Sequence, residues 1–529
     1  MNRNVEQWQV RKAAVTSERG VVASQHWLAA RAGAGILAQG GNAVDAAVAC
    51  AFALSATEPW MCGLGGSGFL VVWLAQTKTA QVIDFQGVLA KAIDPADYPL
   101  DPRVPESIMG FPGVRDNRNV EGYGSITVPG AVAGLSQAVG RFGRLALDTV
   151  MTPAIDLAER GLPVDWHATL QIALAMDRLH NDPAAAGVYL PKGVPAKPEQ
   201  YLPLGKLAET LRAVAEHGPD GFYQGPVAES MAADLARGGS PITVEDFAAY
   251  DAEFHETLVG EHRGATLHTA GETSGGPRLI EALAYVAEHL APGGEVGAET
   301  WRAYADGLDR AFRSHQRRLG RVPEGGCTSH MSAVDGEGNM VALTYTLLNR
   351  FGSGVVLPGT GVLMNNAVAY FDPRPGFPTT LAGGKRINAS NMCPTIAVRD
   401  GQALFAVGAS GANHIVPCTM QIAGLLLDHG LTLEQAFHAP RIDASDRGVL
   451  RVNPTAGEAV IADLGQDHDL EIAQLLVFPK LYSCPSGVLR DPVTGLNHAM
   501  SDPSNPVAGA AAEAPFEVAR HSHQDEVRA

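Results

Sequence analysis

Residues 325–335 read Gly-Gly-Cys-Thr-Ser-His-Met-Ser-Ala-Val-Asp, and two of them, Cys327 and Thr328, could act as nucleophiles. A threonine hydroxyl is a poor nucleophile without an adjoining base, and a threonine's own free α-amine can be that base. In mid-chain Thr328 has no free amine. Cutting the Cys327–Thr328 bond would make it an N-terminal nucleophile. The small residues Gly325, Gly326 and Cys327 permit the tight turn in which a hydroxyl attacks its own preceding carbonyl. Downstream, Ser329, Ser332, Thr344 and Thr346 add hydroxyls that could orient the new terminus. A threonine before a strand is in most proteins a turn residue, so the weight falls on this context. Cys327 is the rival nucleophile, but a cut at this bond leaves it as the end of the upstream piece.

These residues need a rigid support, and a hairpin provides it. Ser332–Asp335 reads as a strand, Gly336-Glu337-Gly338-Asn339 as its turn, and Met340–Thr346 as the returning strand. A second hairpin joins Pro394–Val398 to Ala403–Val407 through Asp400-Gly401. Upstream, a helix from Ser24 to Leu37 closes at Gln39-Gly40-Gly41, and Asn42 opens a long alanine-rich helix to about Ala56 whose small residues suit burial between layers. A strand follows at Leu70–Trp73, residues 88–122 read as a long loop, and helical patterns dominate from there to about 320. Residues 413–427 form an apolar helix. The tail beyond Asp502, including His521-Ser522-His523, is expected to fray. No internal repeat is visible.

Composition narrows the classes of function. A charged fraction of 18% with 46% hydrophobic residues is that of an ordinary globular enzyme. A net charge of −17 argues against nucleic acid and anionic membrane as partners, while leaving room for a local basic pocket. The first eight residues contain no apolar signal segment, and no run is long enough to span a bilayer. The six cysteines show no metal-type pairing and no disulfide framework, which together with the N-terminus reads as a cytoplasmic location. His330 and His414 form no metal-ligand pattern, and Gly63–Gly68 lacks the preceding strand of a dinucleotide loop, so neither metal nor cofactor is expected.

An ordered series of motifs resembles the γ-glutamyltransferase family of N-terminal-nucleophile hydrolases. It comprises Gly40–Ala47, Leu64–Phe69, Pro129–Gly134, Ile242–Phe247, Ser274-Gly275-Gly276, the Thr328 element, Met392–Thr395 and Gly408–Gly411. The resemblance implies an α/β fold, a four-layer αββα sandwich with a helix-rich large-subunit portion. It also implies self-cleavage into residues 1–327 and 328–529, which remain together as one intertwined catalytic domain. The subunits would form a heterodimer, with a dimer of heterodimers as a further possibility. Thr328 is then the nucleophile, Thr346 the hydroxyl that supports its amine, and Gly411 and Ala412 the backbone donors of an oxyanion hole. The family has a second glycine where Ala412 stands, a tolerable change because the donor is backbone. Gly408–Ala412 also nearly matches a serine-hydrolase elbow, but the family register assigns the loop to the oxyanion hole rather than making Ser410 a nucleophile.

The substrate pocket departs from the family pattern. Where the family carries an arginine for the glutamyl carboxylate, Asp84-Phe85 is followed by Gln86. Where it holds the α-amine, this chain has Leu348, then Ala367 and Tyr370 after Asn365-Asn366, and the family's serine pair is Ser390-Asn391. Asn349 could compensate through a shifted register, and Arg350, Lys385 or Arg386 could replace the arginine. Hydrogen bonds to charged groups contribute about 1.5–3 kcal/mol each, so losing two weakens a glutamyl group by about 10²–10⁴. A pocket of Ser390, Asn391, Asn349, Tyr370 and Gln86, with Asn388 nearby, suits a small acyl group without an amine. The leading expectation is hydrolysis of a small acidic amide, oxamate to oxalate and ammonia, as in a purine-nitrogen branch of the family. Alternatives are a γ-glutamyltransferase or glutathione hydrolase, a glutaryl-type acylase, and an inactive scaffold serving as a binding partner.

Overall fold

The computed structural model describes residues 10–107, 109–319, 327–445 and 448–518. Gly325-Gly326, the first eight residues and His521–His523 lie outside the described residues.

Two antiparallel seven-stranded sheets make up the interior. Their strands are β1 (Val15–Ser17), β2 (Val21–Ser24), β3 (Ser67–Leu74), β4 (Thr79–Phe85), β5 (Glu253–His255), β6 (Leu258–His262) and β7 (Ala265–Thr269). They continue with β8 (Cys327–Val334), β9 (Met340–Leu348), β10 (Thr395–Arg399), β11 (Gln402–Ser410), β12 (Cys484–Arg490), β13 (Asn497–Ser501) and β14 (Gly509–Ala512). One sheet runs β1-β13-β12-β11-β10-β7-β6 and the other β14-β2-β8-β9-β3-β4-β5. Strands from either side of residue 328 therefore sit in both sheets.

Three apolar clusters mark the interfaces of a four-layer αββα sandwich. Phe69, Val71, Trp73, Met340 and Ala342 face the opposite sheet's Ile396, Ala406 and Val488. Their neighbours Leu70, Val72, Val341, Leu343 and Tyr345 point the other way, into a core shared with helices α1 (Trp27–Ala38) and α2 (Ala43–Thr57). Side chains of period two thus bury both faces of these strands. A third cluster joins Ala397, Phe405 and Val407 to helices α3 (Gly276–His289), α4 (Ala298–Leu319) and α5 (Ile415–Asp428) on the outer face of the first sheet.

Helix α2 positions the hairpin β8–β9. Asn42 and Asp45 form a capping box at its start, and every residue from Ala43 to Thr57 is buried. The hairpin turn docks there: Asp335 accepts from the Ala43 N–H at 3.0 Å and from Asn339 Nδ2 at 2.8 Å. Further along, the Tyr345 hydroxyl donates to the Ala51 carbonyl at 2.6 Å. Only small side chains let a helix lie this close to a sheet.

Two expectations are corrected. The segment from 253 to 269 is not helical but forms β5, β6 and β7, strands at or next to sheet edges that alternate in burial but are only three to five residues long. Residues 484–490 and 497–501, for which no element was expected, are strands of the first sheet. The tail beyond Asp502 does not simply fray, because Gly509–Ala512 pairs with Val21–Ser24 as an edge strand.

Candidate active site

Thr328 sits at an irregularity in the sheet. Cys327 pairs with Leu348 and Ser329 with Tyr345, so the two residues Thr346 and Leu347 oppose the single residue Thr328. A bulge of this kind interrupts the ladder and re-aims side chains. Thr328 is buried, as are Ser329 and Thr346. The Thr346 hydroxyl donates to the Cys327 carbonyl, the carbonyl of the bond preceding Thr328, and accepts the Leu348 N–H at 2.7 Å. Leu348 has a φ of +81°, which turns its N–H back onto Thr346 and is costly for a branched residue. Burial pushes the Cys327 thiol up, which makes it a poor thiolate nucleophile.

A narrow recess opens beside Thr328. Its walls bring together Thr328, Leu348, Tyr370, Ser390, Asn391 and Ala412, all named from the sequence, and add Met109, Met392 and Ile415, which sequence reasoning missed. No charged side chain lines it among the described residues. Asn391 Nδ2 donates to Asn413 Oδ1 at 2.7 Å, while the buried Asn391 Oδ1 has no hydrogen-bond partner. Tyr370 is buried, with its hydroxyl against Ser390.

Gly411 and Ala412 form the turn between β11 and the helical segment leading into α5, with φ of +123° and +52°. At the start of a helical turn their N–H groups have no intrahelical partner. Ser410 faces away from the recess, its hydroxyl donating to Gln25 Oε1 at 2.9 Å. The glycines of Gly63–Gly68 serve close packing: a Cβ on Gly65 would lie 2.2 Å from the Leu363 carbonyl oxygen, and one on Gly66 2.7 Å from that of Thr346.

The remaining sequence-named residues lie elsewhere. Gln86 is fully buried outside the recess, its carbonyl accepting from Tyr250 at 2.9 Å and Arg386 at 3.0 Å, and neither side-chain amide atom is paired. Asn349 lines a separate cavity with Cys327 and Arg350. Asn388 Nδ2 donates to the Pro378 carbonyl at 3.0 Å, and Lys385 Nζ to the Thr380 carbonyl at 3.1 Å. Asn365 and Asn366 hold loops together: Asn365 Nδ2 donates to the Gly65 carbonyl at 2.7 Å, and Asn366 Oδ1 accepts from the Asn349 N–H at 2.9 Å. Asp84, Glu253 and His255 could together face a metal ion, but Arg386 already pairs with Glu253 at 3.1 Å. His330 is wedged between the sheets, bonded to Thr344 Oγ1 at 2.7 Å and Ser332 Oγ at 3.0 Å, and burial pushes it down to about 3. His414 lies 2.8 Å from Asp443.

Glu58 was not singled out from the sequence. It follows the last residue of α2, is buried, and accepts the Ser329 hydroxyl hydrogen next to Thr328. Burial pushes its carboxyl up to about 8, so it holds its proton at neutral pH. Its signal in the sequence is an acid ending a helix that, beyond Asp45 in its first turn, carries no other charged residue.

The family model for gamma-glutamyltranspeptidase matches residues 29–322 and 309–512. The chain belongs to the γ-glutamyltranspeptidase family. It is an amide-bond hydrolase of the N-terminal-nucleophile class. Among relatives in this family, an acylase ACY 1 proenzyme from a Pseudomonas species is 33% identical over 85% of this chain and 86% of its own length. A glutathione hydrolase proenzyme from Escherichia coli is 32% identical over 81% of each chain. The crystal structure of a cephalosporin acylase from Bacillus halodurans superimposes with a TM-score of 0.83 and 25% identity, covering 98% of this chain and 99% of that one. The matches therefore extend over most of the γ-glutamyltranspeptidase fold on both sides of Thr328.

Proposed function

We propose that this chain is a self-processing amidohydrolase that cleaves a small acidic amide through an acyl-enzyme on Thr328, with oxamate, yielding oxalate and ammonia, as the substrate. The observation that carries this reading is the narrow recess in which Thr328 meets Leu348, Tyr370, Ser390, Asn391 and Ala412. Among the described residues no acid lines it to hold a substrate α-amine, and the unpaired Asn391 Oδ1 is an acceptor for an amide N–H.

In self-cleavage, Thr328 Oγ attacks the Cys327 carbonyl carbon and the Thr328 nitrogen leaves with a proton, giving an ester. Thr346 donates to that carbonyl as charge builds on its oxygen. Water then splits the ester into a Cys327 carboxylate and the Thr328 hydroxyl, which leaves the α-amine already freed by the shift as the new N-terminus. In turnover, the amine takes the Oγ proton as Oγ attacks the substrate carbonyl. Gly411 and Ala412 N–H groups meet the oxyanion, ammonia or an amine departs with the proton, and water hydrolyses the ester. The two pieces, residues 1–327 and 328–529, stay paired because their strands share both sheets. The relatives named as proenzymes support the cut. No described helix is long and apolar enough to cross a membrane, and a cytoplasmic site of action goes with this reading.

A second reading is a glutaryl-type acylase, favoured by the acylase relative and the full-length match to a cephalosporin acylase. An ammonia- and amine-release screen over oxamate, glutamine, glutathione and a glutaryl amide separates them, with Thr328→Ala as the control. Preferred release from oxamate supports the first reading. Preferred turnover of glutathione would overturn both.

A further inference from the structure

We propose that Met109, on the long loop that follows β4, limits the length of the acyl group that the recess beside Thr328 accepts. The substrates are then amides of the shortest dicarboxylic acids. This rests on the acyl-Thr328 reading above.

Among the described residues that line the recess, Met109 alone lies upstream of Thr328 in the chain. The others are tied to the small piece and its catalytic groups. Leu348 ends β9, the strand that carries Thr346, and Ala412 begins the helical turn of the oxyanion loop. Met109 reaches the recess from outside both sheets.

The loop holds it there. Its two arms, residues 99–107 and 109–115, are joined at their base. Leu100 and Val114 form an antiparallel bridge, the Asp101 N–H donates to the Gly113 carbonyl at 2.9 Å, and the Arg115 N–H donates to the Pro99 carbonyl at 3.0 Å. Arg103, Pro105 and Glu106 on the outgoing arm are exposed, whereas Met109 and Phe111 are only 2% and 6% exposed. Both belong to the apolar cluster that contains Leu348 and Tyr370. Ser107 ties the arms together near the tip. Its N–H donates to the Phe111 carbonyl at 2.8 Å, its carbonyl accepts the Gly110 N–H at 2.8 Å, and its hydroxyl accepts the Met109 N–H at 3.3 Å. An outwardly polar loop thus inserts two apolar side chains into the protein, and one of them forms a wall of the recess.

A thioether side chain carries no charge, so Met109 cannot choose among acids by charge and acts through the room it occupies. A longer acyl group would have to push the buried methionine toward water, which weakens binding by about 10–100-fold. Beyond Cβ a methionine has three heavy atoms, and glutarate exceeds oxalate by three methylenes. Truncation at this position therefore makes room for the longer acid.

Met109→Ala tests the limit in the processed full chain, with kcat/KM measured for oxamate and for glutaramate, the monoamide of glutaric acid. Wild type should favour oxamate, and the variant should raise the ratio of glutaramate to oxamate by about 10–100-fold. A variant that merely loosens the loop would lower both activities together, and an unchanged ratio overturns the proposal. A wild type that already favours glutaramate overturns it as well. Calorimetric titration with oxalate and glutarate reads the same limit without turnover, and Met109→Ala should tighten glutarate relative to oxalate by the same factor. That shift with no amide hydrolysed would defeat the amidohydrolase reading alone. Oxamate hydrolysis with no shift would defeat the Met109 limit alone, and neither turnover nor binding of either acid overturns both. A denaturing gel showing that Met109→Ala is cut verifies its fold. If it is not cut, Met109→Val, which shortens the side chain and leaves a smaller gap, should move the ratio in the same direction.

Discussion

The Thr346 hydroxyl bridges two backbone groups, accepting the Leu348 N–H at 2.7 Å and donating to the Cys327 carbonyl. In the proposed self-cleavage it therefore acts first on the bond to be cut. A single donor of this kind accounts for about 10²–10³ in rate. Thr346→Ala should slow self-cleavage by that factor, and Thr346→Ser should restore most of it. Time courses of the uncut band on a denaturing gel give the answer, and wild-type cleavage in Thr346→Ala would remove Thr346 from the mechanism.

The nucleophile can be separated from its rival by three variants. Cys327→Ala should be cut as the wild type is, because its thiol does no chemistry. Thr328→Ala should stay whole, while Thr328→Ser, which keeps a hydroxyl, should be cut. N-terminal sequencing of the small piece checks the position.

Leu348 and Tyr370 line the recess where the family pattern places groups for an α-amine. Introducing Leu348→Asn with Tyr370→Asp should raise the turnover of a γ-glutamyl anilide by about 10–10²-fold, the contribution of a hydrogen bond to a charged group. Unchanged kcat/KM in that assay would mean that these two residues do not set specificity.

Glu58 provides a pH dependence. Its folded pKa, about 8, lies above the ordinary glutamate value of 4.5, so between them the folded chain holds a proton that the unfolded chain releases. The contribution of this group to stability is therefore full below pH 4.5, falls as pH rises, and is spent above about 8. Glu58→Gln stays neutral throughout. Its Tm should drop less between pH 6 and pH 9 than that of the wild type, and equal drops in scanning calorimetry would exclude Glu58 as the cause.

Ala412 carries a φ of +52°, a region that costs an L-residue about 1–2 kcal/mol and glycine almost nothing. Ala412→Gly should stabilise the chain by about 1 kcal/mol after the added freedom of the unfolded state, and should keep activity because the donor is backbone. Gly411→Ala should destabilise it, since φ there is +123° and a Cβ would lie 3.1 Å from Ser483 Oγ. Denaturant melts of both variants decide.

Much of the candidate site was legible because its supporting elements are local. The Gly336–Asn339 turn, the Asn42 cap and the glycine-rich segments are written in residues a few positions apart, and the hairpin they build places Thr328 opposite Thr346. The strands at 253–269, at or next to sheet edges, and the edge strand at 509–512 were not legible. Short polar or alanine segments become strands only when a distant partner, such as Val21–Ser24 for the tail, supplies the ladder.

By itself the sequence marked Thr328 as a candidate nucleophile, and its resemblance to the family pointed to Thr346 and the Gly411-Ala412 loop as the groups to go with it. Only the tertiary structure decided which polar residues share a cavity. It put Ser390, Asn391 and Tyr370 beside Thr328, left Gln86 outside, and set Asn349 with Arg350 on the Cys327 side. It also brought Glu58 against Ser329, 271 positions away in the chain. Burial and charge pairing belong to a site assembled across such separations, and no short stretch of chain encodes them.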